Sequence, residues 1–349
     1  MKAKALQFGK AMGAALFVLL LSVAGMKNAL AQTLVATLQH GDSIRAFYGP
    51  GALSSAHSAA ETGDIITLSS GTFYSLTITK AVTIRGAGIV SDTAAGTFPT
   101  IINEDVTANF TNDTAYLTIE GVSFRGTFLS KRLKNPRFVR CYFETFNAGN
   151  TDNITPMTSS QFVNCRIKNL HLRSSGSYYA SNTNFINCVI WTCTMGGNYM
   201  VAYNSYIGLG CYPTSAYHTM SVYNCIVYAQ SNNNYYKLNS YSNAFNCIGI
   251  NGALGDAYKE NCWTYSLHSN VFETFTNSNI NYYAEPLILK EEIATTCLGN
   301  DGTQVGIYGG FVPYSYIPSY LLRTHITVPN RSNIDGTLNV DVEIIEEDE

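Results

Sequence analysis

Between residues 138 and 264 apolar and polar positions alternate in short runs, and the runs return. "QFVNCRI" (Gln161 to Ile167), "NFINCVI" (Asn184 to Ile190) and "SVYNCIV" (Ser221 to Val227) share one plan. An apolar residue stands three places before a Cys, an Asn directly before it, and an aliphatic two places after it. Aligned on that pair, the column reads Cys141, Cys165, Cys188, Ser205, Cys225, Cys247 and Cys262, at intervals of 24, 23, 17, 20, 22 and 15 residues. The preceding position holds Arg140 and then Asn164, Asn187, Asn204, Asn224, Asn246 and Asn261. Alternation of period two marks strands. No 3.6-residue pattern runs through this region, which excludes helical repeats.

Units of about twenty residues, each with short strands, predict a parallel β-solenoid in which every strand pairs with its copy one turn on. Equivalent positions then stack about 4.8 Å apart and write continuous rows. Asn tolerates the left-handed backbone that a sharp corner needs, and its amide is expected to bond to the amides above and below. Cys beside it fills the interior as a small apolar group.

Earlier turns follow the same plan. "GVSF" (Gly121 to Phe124) places Val122 and Phe124 in register with Cys141 and Phe143, "AVTIRGAG" (Ala81 to Gly88) is expected to place Val82 and Ile84 there too, and "TIIN" (Thr100 to Asn103) fills the turn between. "GDIITLSSGTFYSLTITKAVTIRGAG" (Gly63 to Gly88) resembles the opening coil of right-handed parallel β-helix proteins of the pectin-lyase-like group. "ALSSAHSAAE" (Ala52 to Glu61) reads as a short helix, and the resemblance implies that it covers the N-terminal end of the core. The repeat fades from Leu298, and "GTLNVDVEII" (Gly336 to Ile345) alternates like a last strand. This tail is similar to those that end exported β-helix proteins of Bacteroidetes-type bacteria, where it caps or braces the coil. The expected organisation is an all-β right-handed parallel β-helix over 32–300, with a tail over 301–349.

Residues 1–31 read as a secretory signal. Lys2, Lys4 and Lys10 precede the short apolar run "ALFVLLLSVAG", and "ALA" offers small residues for cleavage before Gln32. Its removal takes four lysines, moving the formal charge from -3 to -7, and six acids lie in "DVEIIEEDE" (Asp341 to Glu349). The body is therefore near neutral, and its surface is built from Asn, Ser, Thr and Tyr. The expected location is the periplasm, cell surface or exterior of a bacterium, with no transmembrane anchor in the mature chain. Without a basic stripe, a nucleic-acid partner is excluded. The Cys count is odd and follows the repeat, which predicts single buried thiols rather than disulfides. Cys193, Cys211 and Cys297 lie off the column, and spacing alone does not pair Cys193 with Cys211.

Members of the resembled group cleave acidic polysaccharides, so the acids decide. "NTD" (Asn150 to Asp152) and "RIK" (Arg166 to Lys168) echo polygalacturonase-like motifs, but "RIK" falls inside the structural repeat, and paired aspartates and Gly-His-Gly are missing. Between Asp152 and Asp256 there is no Asp or Glu at all. Hydrolysis of a glycosidic bond generally needs two flanking carboxylates, and a Ca²⁺-assisted elimination needs charged oxygen ligands. Asp105, Asp113, Glu120 and Glu144 could serve only on the N-terminal turns. The six His are scattered without ligand spacing and read as loop or surface residues. No catalytic residue, cofactor or metal is assigned.

Two surfaces remain. One is the outward column after the Cys: Tyr142, Arg166, Val189, Tyr206, Ile226, Ile248 and Trp263. Its apolar entries form a ridge that either meets a partner or lies under loops or the Tyr-rich tail. The other is the Tyr- and Asn-rich stretch around Tyr235 and Tyr236, together with "NSNINYY" (Asn277 to Tyr283). Rings and amides of this kind suit a neutral glycan. The triplets at Asp42, Asp92 and Asp113 resemble a bacterial O-glycan acceptor. The expectation is an exported non-catalytic scaffold that contacts a glycan or a cell-surface protein, its oligomeric state open. The alternative is a polysaccharide lyase or glycoside hydrolase with its site on the N-terminal turns.

Overall fold

The structure, a computed structural model, describes residues 34–91, 98–110, 116–148, 157–172, 180–194, 198–211, 219–231, 233–273 and 286–316, with two further strands, Arg323–Thr327 and Asp341–Ile345. It is a parallel β-solenoid built of two long sheets. Each coil gives one strand to the first sheet, turns at the Asn-Cys corner, and gives the next strand to the second sheet. Ser181–Ile186 and Val189–Thr194, for example, flank Asn187 and Cys188.

Register carries the argument. Ile186 pairs with Tyr203 and Tyr203 with Tyr223 on one side of the corner, while Val189 pairs with Tyr206 and Tyr206 with Ile226 on the other. Asn187, Asn204 and Asn224 thus lie over one another, and the N–H of each donates across to the next coil, as Asn187 N does to Tyr203 O at 3.0 Å. All six corner asparagines have φ between 47 and 54°, and Arg140 at the first such corner has 48°. That is the left-handed region, which Asn enters at lower cost than β-branched or bulky residues.

Inside the corner, each thiol is a hydrogen-bond donor as well as a filler. Cys188 Sγ donates to Phe162 O and Ile186 O, both at 3.3 Å, and Cys225 Sγ to Ala202 O and Tyr223 O. Ser205 keeps the same role with its hydroxyl, donating to Tyr203 O and accepting from Cys188 N. Beyond the corner the interior holds stacked rings, with Phe138 on Phe162 at 4.9 Å and Phe162 on Phe185 at 5.0 Å between centroids.

Three expectations are corrected. Ile84 pairs with Ile119, and Ile119 with Phe138, so Val82 and Ile84 belong to the first sheet and not beside Cys141 and Phe143. The alternation there is that of any strand, and without an Asn-Cys pair it does not say which side of the corner a strand occupies. Val122 and Phe124 do lie beside Cys141 and Phe143, with Thr100–Ile102 beneath them. The asparagine amides do not bond to one another. Those of Asn164, Asn187 and Asn224 are taken up by a C-terminal segment, described below. Nor are the histidines all superficial: His57 and His268 are buried.

The N-terminal end is closed by an antiparallel hairpin, Val35–His40 with Ser43–Tyr48, that adds to the first sheet, and by the helix Ala52–Ala59. The helix turns Ala52, Leu53, Ala56 and His57 onto the core. His57 Nε2 accepts from Thr79 N at 3.3 Å, and burial, aided by Lys80, lowers its pKa. Past Tyr265 the chain leaves the coil. Asp341–Ile345 forms a strand, paired antiparallel with Arg323–Thr327. No helix of the described residues is long and apolar enough to cross a membrane.

Candidate functional site

The ridge predicted on the second sheet is present but covered. Val189, Tyr206, Ile226 and Ile248 are at most 2 % exposed, and Trp263 is half-buried. They form a second apolar cluster with Phe272, Leu287, Leu289, Ile293, Val305, Ile307 and Tyr314. Residues 286–314 are a strap that runs back down the corner column. Asn300 exchanges hydrogen bonds with Asn224, Ile307 O and Gly309 O accept from Asn187 Nδ2 at 2.9 and 2.7 Å, and Pro313 O accepts from Asn164 Nδ2. Glycines allow the close approach: a Cβ at Gly306 would lie 2.8 Å from Ile226 Cδ1. The ridge is too apolar to stay wet, and the chain itself supplies the cover. Val189, Tyr206, Ile226 and Ile248 are thereby enclosed within the chain, and Trp263 keeps part of its surface open.

At the lower end of the strap, Arg166 is 2 % exposed, gives its Nε proton to Tyr314 Oη at 2.7 Å, and lies over the Tyr314 ring at 4.9 Å. At the upper end, Tyr206 Oη and His268 Nε2 are 2.9 Å apart in a buried pair, and burial lowers the His268 pKa to about 4. Cys193 and Cys297 are buried free thiols. Burial pushes the thiols of Cys141, Cys165 and Cys247 up, which keeps these three protonated.

Acids of the N-terminal coils are engaged in local bonds. Asp64 holds His40 Nδ1 and the Glu61 N–H, both at 2.7 Å, and Glu104 accepts from Ser75. Asp105 accepts from Thr127 N, Glu120 meets Arg140, and Glu144 takes Tyr142 Oη and Lys168 Nζ. "NTD", Asp113 and "NSNINYY" lie outside the described residues. Among the described residues no three His, Cys, Asp or Glu gather as metal ligands.

An open surface lies on the other sheet. Two outward columns run up the first sheet. One is Val139, Val163, Ile186, Tyr203, Tyr223 and Phe245, two positions before each corner Cys or Ser, of which Val139 and Val163 are buried; the other is Arg137, Gln161, Asn184, Val201, Ser221 and Asn243, two positions earlier again. Tyr203 stacks on Tyr223 at 5.1 Å and 16°, and Tyr223 on Phe245 at 5.0 Å and 8°. Tyr203 is 41 % exposed and the other two are half-buried. The rings use their faces on each other, which leaves their edges for any outside contact. Beside them Asn243 Nδ2 donates to Ser221 Oγ. From Gln161 to Phe245 this face carries no charge.

The ladder is legible in the sequence as the position before each corner Asn, where Tyr203, Tyr223 and Phe245 follow one another. Tyr235 and Tyr236, the other predicted glycan contacts, lie apart on the short 3₁₀ helix Asn234–Tyr236, Tyr235 exposed and Tyr236 half-buried against the core.

Fold and surface together define a strapped parallel β-solenoid with one uncharged aromatic and amide face. No model of a protein family matches the chain, and no curated protein does. Among solved structures, ORF18 of Geobacillus virus E2 is similar at 12% identity with a TM-score of 0.40; the match covers 61% of this chain and 56% of that one.

Proposed function

We propose that the protein is an exported, non-catalytic β-helix of the right-handed, pectin-lyase-like type that binds a neutral glycan along the outer face of its first sheet. The observation that carries this reading is the Tyr203–Tyr223–Phe245 ladder with Ser221 and Asn243 beside it, on an uncharged face that Gln161 and Asn184 extend along the coils below. The rings recur on three successive coils, with Ser221 and Asn243 beside the second and third. A glycan laid parallel to the coil axis meets a ring for its apolar surface on each of these three coils and, beside the second and third, a hydroxyl or amide for its hydroxyls. A charge-free face favours a neutral chain over an acidic one. Against cleavage stands the engagement of Asp64, Glu104, Asp105, Glu120 and Glu144 by neighbouring donors.

The test is affinity electrophoresis through gels containing neutral or acidic polysaccharides, with product analysis of the same mixtures. Retardation by a neutral glycan is expected, weakened about tenfold or more in Tyr223→Ser. Retardation unchanged by that substitution, binding to acidic chains alone, capture of proteins alone, or release of oligosaccharides would each overturn the reading.

A further inference from the structure

The two ends of the coil differ. Helix and hairpin close the N-terminal end, whereas a cleft of about 440 Å³ opens at the last turn, within the range of small-molecule sites. Its floor is apolar: Leu238 and Leu254 belong to the main core. Gly249 makes this possible, since it stands in register with the core residue Val227 and a Cβ there would lie 2.6 Å from Leu254 Cγ. Thr264, the next residue in that register, lines the cleft with a hydroxyl.

The rim is cationic. Lys237 and Lys259 both line the cleft, with Asn234, Asn239 and one acid, Asp256. Lys237 Nζ lies 3.5 Å from Asn234 Oδ1, and Lys259 Nζ donates to Gly255 O at 2.7 Å. Among the described residues neither ammonium forms an ion pair, although Asp256 borders the same space. Lys237 also falls within the acid-free stretch between Asp152 and Asp256. With two lysines and one acid among its lining residues, the cleft carries a net positive charge that suits an anion.

We propose that this mouth binds a small hydroxylated anion of sugar size. Its carboxylate or phosphate is held by Lys237 and Lys259, its hydroxyls by Asn234 and Thr264, and its apolar face rests on Leu254. None of these residues belongs to the aromatic face of the first sheet, so the two sites stand or fall separately.

Isothermal titration of the full protein with glucuronate, glucose 6-phosphate and glucose tests the proposal. At least one anion is expected to bind about tenfold or more tightly than glucose, to weaken as salt is raised, and to lose about tenfold in Lys237→Gln and nearly all binding when Lys259→Gln is added. Which anion wins tells a carboxylate source from a phosphate one. Lys237→Met, which keeps the stem packed and removes only the charge, gives the same reading should the glutamine variant melt early. Tyr223→Ser leaves this binding unchanged. Equal affinity for glucose and both anions, no binding of either anion, or binding retained by a folded double variant would overturn the proposal.

Discussion

At the corners, one side-chain type meets two demands. Asn187 adopts φ 49° and its amide holds two carbonyls of the strap. Asn187→Ala gives up both, at about 1–2 kcal/mol for the left-handed backbone and about 1 kcal/mol for each net hydrogen bond. Asn187→Gly keeps the turn and loses only the bonds. Urea midpoints are therefore expected to fall most for Ala and about half as far for Gly. The same glycine change at Asn246, whose amide meets no strap carbonyl among the described residues, is expected to be nearly neutral. A second residue-level prediction concerns pH. Burial lowers the His268 pKa from 6.5 to about 4, so the unfolded state takes up the proton first and stability falls as pH drops from 6.5 toward 4. The loss approaches about 2 kcal/mol at pH 5, read as a falling melting temperature that flattens in His268→Gln. His57, also lowered by burial, acts in the same direction. His40, exposed and held up by Asp64, acts in the opposite one. None of the buried histidines could be found from spacing, because the groups that bury His268 come from distant coils.

Among the elements, the strap and the repeating strands were unequally legible. A strand that recurs with Asn-Cys at its end declares both its register and its buried side, and Phe138, Phe162 and Phe185 follow directly. The strap has no period, since it crosses the coils instead of pairing with them, and Gly306, Gly309 and Gly310 only acquire meaning from the side chains they skirt. Sequence could show that the ridge needed a cover but could not single out what covered it. The anchor at Tyr314 can be tested. Tyr314→Phe keeps the ring under the Arg166 guanidinium and loses the 2.7 Å hydrogen bond, at about 1–2 kcal/mol. Tyr314→Ala also removes the ring packing and is expected to cost about 3 kcal/mol or more. Limited proteolysis within 300–316 should accelerate from the first variant to the second, with the coil's far-ultraviolet circular dichroism unchanged.

On the scale of the whole molecule, a solenoid is a one-dimensional stack in which each coil touches only its neighbours. The strap breaks that rule by tying residues 307–314 to coils at 164–189, with separations of 120 residues for Asn187 to Ile307 and 148 for Arg166 to Tyr314. Coils that would otherwise fray separately are coupled. The full chain is expected to unfold in one steep transition, and a chain ending at residue 285 in a broader one, with self-association through Val189, Ile226 and Ile248. Sedimentation and denaturant titration of the two forms check both outcomes. The coupling has a consequence for how the protein is made. The coils leave the ribosome before the segment that shuts them, so a nascent chain carries an open greasy flank until its closing stretch has emerged. Any product cut short before that point should therefore depend on a chaperone to stay in solution.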